Sequence, residues 1–128
     1  MAADAARFAR VTFGVAAAYG ILALVPGFFA EQVIGQGPLP HPEFYYGFYG
    51  SALVWQLLFV LISRDPVGCR WLMPIAVLEK AAFFIPCVWL YAVGRMPVAG
   101  PFIGGMIDGV LMLLFLVAWR RTPAARPA

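Results

Sequence analysis

Residues 71–93 read WLMPIAVLEKAAFFIPCVWLYAV, an apolar run that carries the charged pair Glu79-Lys80 near its middle. A transmembrane helix needs about 20 mostly apolar residues, so this run is long enough to cross a bilayer. Charged residues inside such a span are costly and rare, and they need a partner or water. The run therefore predicts a membrane span and, at its centre, a candidate site.

Three further apolar runs have similar length, so that the predicted spans are residues 8–29, 44–63, 71–93 and 102–119. The connections between them are rich in helix breakers: the first predicts an irregular loop over 31–43, and the second (RDPVG) a tight polar turn. Short connections favour antiparallel neighbours. The sequence predicts one all-α domain over residues 1–128, an integral membrane, up-down four-helix bundle.

The composition agrees with a bilayer environment. Apolar residues make up 63% of the chain and charged residues only 12%, against roughly 45–50% and about 25% in soluble domains. The net charge of +3 does not indicate a nucleic-acid partner, because the basic residues lie at the ends of apolar runs and form no patch with exposed aromatics. No cysteine–histidine motif predicts a metal site.

The basic residues set the predicted orientation, because all but two of them fall on one side of the four spans. The exceptions are Lys80, inside a span, and Arg95, on the opposite side. By the positive-inside rule both termini, the middle loop and a short basic tail over 120–128 are expected in the cytoplasm, with the spans in the cell (inner) membrane. The arginines on this side are Arg7, Arg10, Arg64, Arg70, Arg120, Arg121 and Arg126.

Five polar side chains, Tyr19, Gln56, Glu79, Lys80 and Asp108, are candidates for a ligand or proton site. At a rise of about 1.5 Å per residue, they lie about 10–16 Å from the same end of their spans. They are expected to share one polar layer inside the bundle. Adjacent helix positions point in different directions, so Lys80 is expected to pair with Asp108, and Glu79 with Gln56, Tyr19 or water.

Two interpretations of this layer stay open. In the functional one, Glu79 is a protonatable group at a ligand or proton site. In the structural one, the layer fixes helix register and partner choice. No catalytic residue is predicted.

Two further features have a functional and a structural interpretation. His41 and Glu43, at the outer face, form a candidate acid–base couple, although the same residues suit the start of a helix. Gly105 and Gly109 form a GxxxG motif, which indicates either a dimerisation face or close contact inside the bundle.

Several short motifs resemble those of small bacterial four-span membrane proteins that are broadly DoxX-like. The motifs are EFYYGFYG (43–50), WQ (55–56), RDP (64–66), LEK (78–80) and DG (108–109), and the resemblance extends over nearly the whole chain. Some DoxX-type proteins are linked to quinone-coupled respiratory oxidation, so the resemblance implies a quinone or a membrane partner. It carries no catalytic residue to this sequence.

The favoured hypothesis is a non-enzymatic bundle that binds a small apolar molecule, a quinone or a lipid, or a partner membrane subunit, through its polar layer. The sequence itself requires no cofactor. One alternative is a proton-coupled small transporter that works as a homo-oligomer. Another is a small membrane isomerase that uses Glu79, Asp108 or His41 as acid and base.

Overall fold

The computed structural model describes residues 1–34 and 38–124, apart from the side chains of Ala2, Gln32 and Ile34. A 3₁₀ turn at Arg70–Leu72 leads into the fourth of its five α-helices. All the helices except the short second one are long and apolar enough to cross a membrane, as expected of a multi-pass membrane protein. The helices are α1 (Ala2–Phe28), α2 (Glu31–Ile34), α3 (Pro42–Arg64), α4 (Met73–Ala92) and α5 (Gly100–Arg121).

The four predicted spans coincide with the four long helices; α1, α3 and α5 extend beyond the apolar runs, whereas α4 lies within the run 71–93. α1 begins at Ala2, before the predicted start at residue 8, and α5 ends at Arg121. Hydropathy marks the part of a helix that fits the hydrocarbon core, whereas helical hydrogen bonds continue into the interface. Arg120 and Arg121 therefore belong to α5 and not to a separate tail, while Arg126 lies outside the described residues.

The connections differ from the prediction in one place. The irregular loop expected over 31–43 begins with the helical turn α2, so the prediction is wrong for residues 31–34; residues 35–37 lie outside the described part. The tight polar turn at 64–68 is confirmed, because the Gly68 N–H donates to the Asp65 carboxylate at 2.9 Å. Such a side-chain contact to the backbone is typical of aspartate in turns.

The long helices are arranged up and down. At one end of the bundle, here called the terminal end, the Arg121 guanidinium lies 5.6 Å from the centre of the Phe8 ring, and Arg70 Nε donates to the Thr122 carbonyl at 2.6 Å. Both described chain ends and the connection from α3 to α4 thus lie together. The opposite end, here called the far end, holds the connections from α1 to α3 and from α4 to α5.

All four long helices contribute to one apolar core, which occupies the half of the bundle nearer the terminal end. Phe13 stacks on Phe115 with ring centres 4.1 Å apart, and Phe59 meets Phe115 edge-on at 5.0 Å. The fully or almost fully buried core residues are Ala9, Phe13, Ala16, Ala17, Phe59, Ile62, Met73, Ala76, Leu111, Phe115 and Ala118.

In the half nearer the far end, the closest helix contacts lie within two hairpins, α1 with α3 and α4 with α5. The first is closed at Gly27, where the Tyr49 ring packs on the glycine and the Tyr45 hydroxyl donates to its carbonyl. α3 and α4 meet here through Phe48 and Phe83, whose ring centres are 5.6 Å apart. Cys87 is the one fully buried apolar side chain among the described residues of this half. The face between the two hairpins in this half, where few side chains are buried, is called the cleft below.

The glycines of the GxxxG motif lie inside the α4–α5 hairpin. A Cβ atom on Gly105 would lie 2.7 Å from Cβ and Sγ of Cys87, and one on Gly109 would lie 2.6 Å from the Phe84 ring. The absence of side chains thus lets the two helices approach closely. Contact inside the bundle, the structural interpretation of this motif, is confirmed.

The close approach at Gly105 predicts the effect of adding one methyl group. Gly105→Ala should lower the free energy of unfolding by about 1–3 kcal/mol, because overpacking forces the helices apart. Gly47→Ala is the matched control, since no atom lies within 4 Å of a Cβ built there, and it should be neutral or stabilising. Detergent-induced unfolding followed by circular dichroism measures both. Equal effects of the two variants would contradict the packing described for Gly105.

Candidate functional site

Three charged side chains from two helices meet near the middle of the bundle. Lys80 Nζ lies 3.1 Å from Asp108 Oδ1 and 3.2 Å from Glu79 Oε2. The side chains of Lys80, Glu79 and Asp108 are only 8%, 14% and 15% exposed. These three residues are called the charge cluster. They lie between two helices that are long enough to span the membrane, so their charges are removed from bulk water.

The local sequence explains why Asp108 reaches Lys80. Asp108 directly precedes Gly109 and is three residues after Gly105, and these two glycines hold α5 close to α4. The short aspartate side chain can therefore bridge to a lysine on the facing helix. The ion pair predicted from the depth of the two residues is confirmed.

The prediction that Glu79 would not face Lys80 is wrong. Neighbouring helix positions do point about 100° apart, yet Glu79 Oε2 is 3.2 Å from Lys80 Nζ. The lysine stem has four methylene groups and rotates freely, so its nitrogen reaches a carboxylate that its Cβ does not face. One ammonium consequently serves two carboxylates.

The hydrogen bonds of the cluster are incomplete on the acceptor side. Glu79 Oε1 accepts a long bond of 3.5 Å from Lys80 Nζ. Glu79 Oε2 lies closer to the same nitrogen, but at an angle that makes no hydrogen bond, and it is buried without a donor among the described residues. Buried polar atoms are satisfied in the great majority of cases, so this oxygen marks a place for a donor.

Gln56 lies at the contact between α1 and α3 and not in the charge cluster. Its side chain packs against Gly20 of α1, and its amide nitrogen donates to the Ala52 carbonyl at 2.8 Å. Gln56 is 2% exposed, and its Oε1 also lacks a donor within the described chain. The residue therefore contributes a second unpartnered acceptor, at the α1–α3 contact.

Tyr19 joins neither the charge cluster nor Gln56. It is 38% exposed, and no hydrogen bond links it to the other candidates in the part of the chain that is described. Its neighbour Gly20 is the residue that faces Gln56. Because adjacent residues point about 100° apart, Tyr19 is directed away from that contact. Similar depth was not sufficient to predict a shared layer.

Aromatic rings continue from the cluster toward the far end. Lys80 Nζ lies 5.2 Å from the centre of the Phe59 ring, within the range of a cation–π contact. Phe83 follows one helical turn after Lys80 and packs on Phe48 of α3, which is 47% exposed. Aromatic side chains therefore lie on both sides of the charge cluster along the bundle, Phe59 in the terminal half and Phe83 with Phe48 in the far half.

The outer-face candidates form an exposed pair. His41 Nδ1 lies 3.1 Å from Glu43 Oε1, with side-chain exposures of 69% and 64%. His41 immediately precedes α3, and Pro42 and Glu43 are in its first turn, as expected for a helix start. Exposed ion pairs contribute little to stability, and no contact joins this pair to the charge cluster within the described chain.

One polar contact at the far end was not predicted. Glu31 Oε2 accepts a hydrogen bond from the Tyr46 hydroxyl at 2.7 Å, and Glu31 Oε1 lies 3.5 Å from the Leu39 N–H. The contact ties α2 to the start of α3. Glu31 lies in the region predicted as an irregular loop, and no periodic pattern links it to Tyr46, so the sequence offered no way to predict this contact.

Within the described residues, no group of three or more His, Cys, Asp and Glu side chains is arranged to hold a metal ion. No family model, curated protein or solved structure matches this chain. The function therefore has to be argued from the geometry of the cluster and the cleft.

The geometry of the cluster predicts that removing one charge lowers the free energy of unfolding much more than removing all three. Lys80→Met leaves two buried carboxylates without a counter-ion, and should lower the free energy of unfolding by about 3 kcal/mol. The triple variant Glu79→Gln, Lys80→Met, Asp108→Asn should recover most of that loss. Unfolding in mixed micelles measures both.

Arg95→Met is the control for this comparison, because it removes one exposed charge at the far end and should change stability by less than about 0.5 kcal/mol. A triple variant no more stable than Lys80→Met would show that the three charges do not act as one unit.

Proposed function

We propose that this chain is a bacterial inner-membrane protein that binds a small apolar molecule through the charge cluster, with the apolar body of the ligand in the cleft. The observation that carries the proposal is a cluster of two carboxylates and one ammonium, in which Glu79 Oε2 lies 3.2 Å from Lys80 Nζ but accepts no hydrogen bond from the described residues. A merely structural ion pair would need only one carboxylate. The surplus acceptor is available to a ligand.

The balance of donors and acceptors favours one class of head group. The Lys80 ammonium has three N–H donors, whereas the two carboxylates accept at four oxygens. A ligand that fits this cluster donates a hydrogen bond, as a quinol or a hydroxyl-bearing lipid does. A quinone, which only accepts, would compete with the carboxylates for the lysine. Within the quinone or lipid class, the reduced or hydroxylated forms are therefore the better candidates.

The surroundings of the cluster favour entry from the far half of the bundle. The rings of Phe13, Phe59 and Phe115 fill the terminal half. In the far half, α3 and α4 meet through Phe48 and Phe83. Aromatic walls with a few polar groups at one end are typical of sites for small apolar ligands.

The membrane assignment and the orientation are part of the proposal. Arginines at the terminal end, such as Arg7, Arg64 and Arg121, support a cytoplasmic location for both termini. The DoxX-like resemblance supports a bacterial inner membrane and a quinone-type ligand or a partner subunit of a quinone-coupled system.

The test is the ligand that the purified protein retains. Protein isolated in a mild detergent is extracted with solvent, and the extract is examined by mass spectrometry for quinols, quinones and lipids. We expect one hydroxyl-bearing apolar species at near-equimolar amount. Glu79→Gln should retain it about 10- to 100-fold less well, because a hydrogen bond to a charged group contributes about 1.5–3 kcal/mol.

Glu43→Gln provides the matched control, since it makes the same chemical change at an exposed carboxylate away from the cluster. Melting temperatures of both variants separate loss of ligand from loss of fold. A wild-type protein that retains only bulk membrane lipid would overturn the proposal, as would undiminished retention by a folded Glu79→Gln variant.

A proton-coupled transporter is the second candidate, and the surplus carboxylate is the observation that favours it. A carboxyl group that gains and loses a proton inside the membrane is a common element of proton-coupled transport. Reconstituted vesicles that take up a cationic or anionic substrate only under a pH gradient, with loss of uptake in Glu79→Gln, would favour this function over stable ligand binding.

A further inference from the structure

Two arginines share one tryptophan at the terminal end. The guanidinium carbons of Arg70 and Arg120 lie 5.8 and 5.7 Å from the centre of the Trp119 ring. Both distances are within the range of cation–π contact. Arg70 belongs to the turn before α4 and Arg120 to the last turn of α5, so the ring holds cations from two separate elements.

Arg70 is held in place by a further contact. Its Nε donates to the Thr122 carbonyl at 2.6 Å, just beyond the last residue of α5. This bond uses one of the five guanidinium N–H groups. The terminal nitrogens have no hydrogen-bond acceptor within the described chain, although the side chain is ordered by the bond and the ring. A guanidinium fixed in this way is prepared for a planar, two-pronged anion contact.

Neither guanidinium has a carboxylate to neutralise it. No Asp or Glu of the described residues lies within 4 Å of either arginine. The ion pairs of the described chain involve other cations: Lys80, His41 and the N-terminal amine. The nearby Asp65 accepts the Gly68 N–H in its own turn. Two cations held on one ring repel each other, so an external anion would stabilise this arrangement.

Apolar surface lies beside Arg120, the one of the two arginines that lines it. An open groove of about 330 Å³ on α5 is lined by Leu116, Val117, Arg120 and Arg121. Valine and leucine are on its membrane side and arginines at its rim. Tryptophan is enriched at the membrane interface, where head groups lie. A soluble anion would use only the rim, whereas a phospholipid would use both parts.

We propose that Arg70, Arg120 and Trp119 form a binding site for the head group of an anionic phospholipid, whose acyl chain enters the groove at Leu116 and Val117. Basic pockets between transmembrane helices are known to select anionic lipids. The site is separate from the charge cluster, and the proposal does not depend on the ligand proposed there.

Native mass spectrometry of the full chain in mixed micelles tests the site. Phosphatidylglycerol and phosphatidylcholine with identical acyl chains are added in turn, and bound lipid is counted at matched concentration. We expect a phosphatidylglycerol adduct that survives activation and at least tenfold weaker binding of phosphatidylcholine. Arg120→Gln should reduce phosphatidylglycerol binding about tenfold, because it removes charge-assisted hydrogen bonds. Inorganic phosphate at about 10 mM should not displace the lipid, because phosphate has no acyl chain to occupy the groove.

Arg7→Gln is the control, because it removes one exposed arginine from the same end and has no described contact with Trp119. Arg120 is itself exposed, so its substitution should leave the fold intact; Arg70→Gln, which also loses the bond to Thr122, serves as a second variant. Equal losses in Arg7→Gln and Arg120→Gln would overturn the proposal in favour of general surface charge. Displacement by inorganic phosphate would overturn it in favour of a soluble anion.

Discussion

The ammonium of Lys80 lies near the middle of a membrane-spanning helix, where an unpaired charge costs about 2.5–3.5 kcal/mol. Much of the surrounding structure follows from this cost. Asp108 approaches the nitrogen from α5, which requires the close helix contact that Gly105 and Gly109 allow. Glu79 approaches from the same helix. The contact between α4 and α5 and the position of the candidate site are therefore consequences of the same charge.

The position of the cluster along the bundle limits how it can be reached. On the terminal side, the stacked rings of Phe13 and Phe115 fill the core. On the far side, glycine contacts close each hairpin separately, and α3 meets α4 through aromatic rings. A ligand or a proton would therefore approach through the cleft. One-sided access suits a binding site better than a continuous pathway through the bundle.

The sequence was sufficient to predict the spans, because the length of an apolar run is set by bilayer thickness. It was also sufficient for the Lys80–Asp108 pair, since two opposite charges at equal depth must find each other in hydrocarbon. The sequence did not predict contacts that depend on the rotation of a residue about its helix axis or on the reach of a long side chain. Tyr19 has the expected depth but points away from Gln56, and Lys80 bends back to Glu79. The contact of Arg70 with Trp119 joins residues far apart in sequence, so no local sequence pattern predicts it.

The chain thus carries two unbalanced charge sites of opposite sign, and they cannot neutralise each other. Arg70 and Lys80 are ten positions apart along one helical segment, which corresponds to about 15 Å, and the intervening layer is apolar core around Met73 and Ala76. An ion pair needs contact at about 4 Å. A proton or a donor would satisfy the surplus carboxylate at the cluster, and an anion would stabilise the arginines on Trp119, each at its own depth. Because no described polar contact connects the two sites, we expect each to be filled independently of the other.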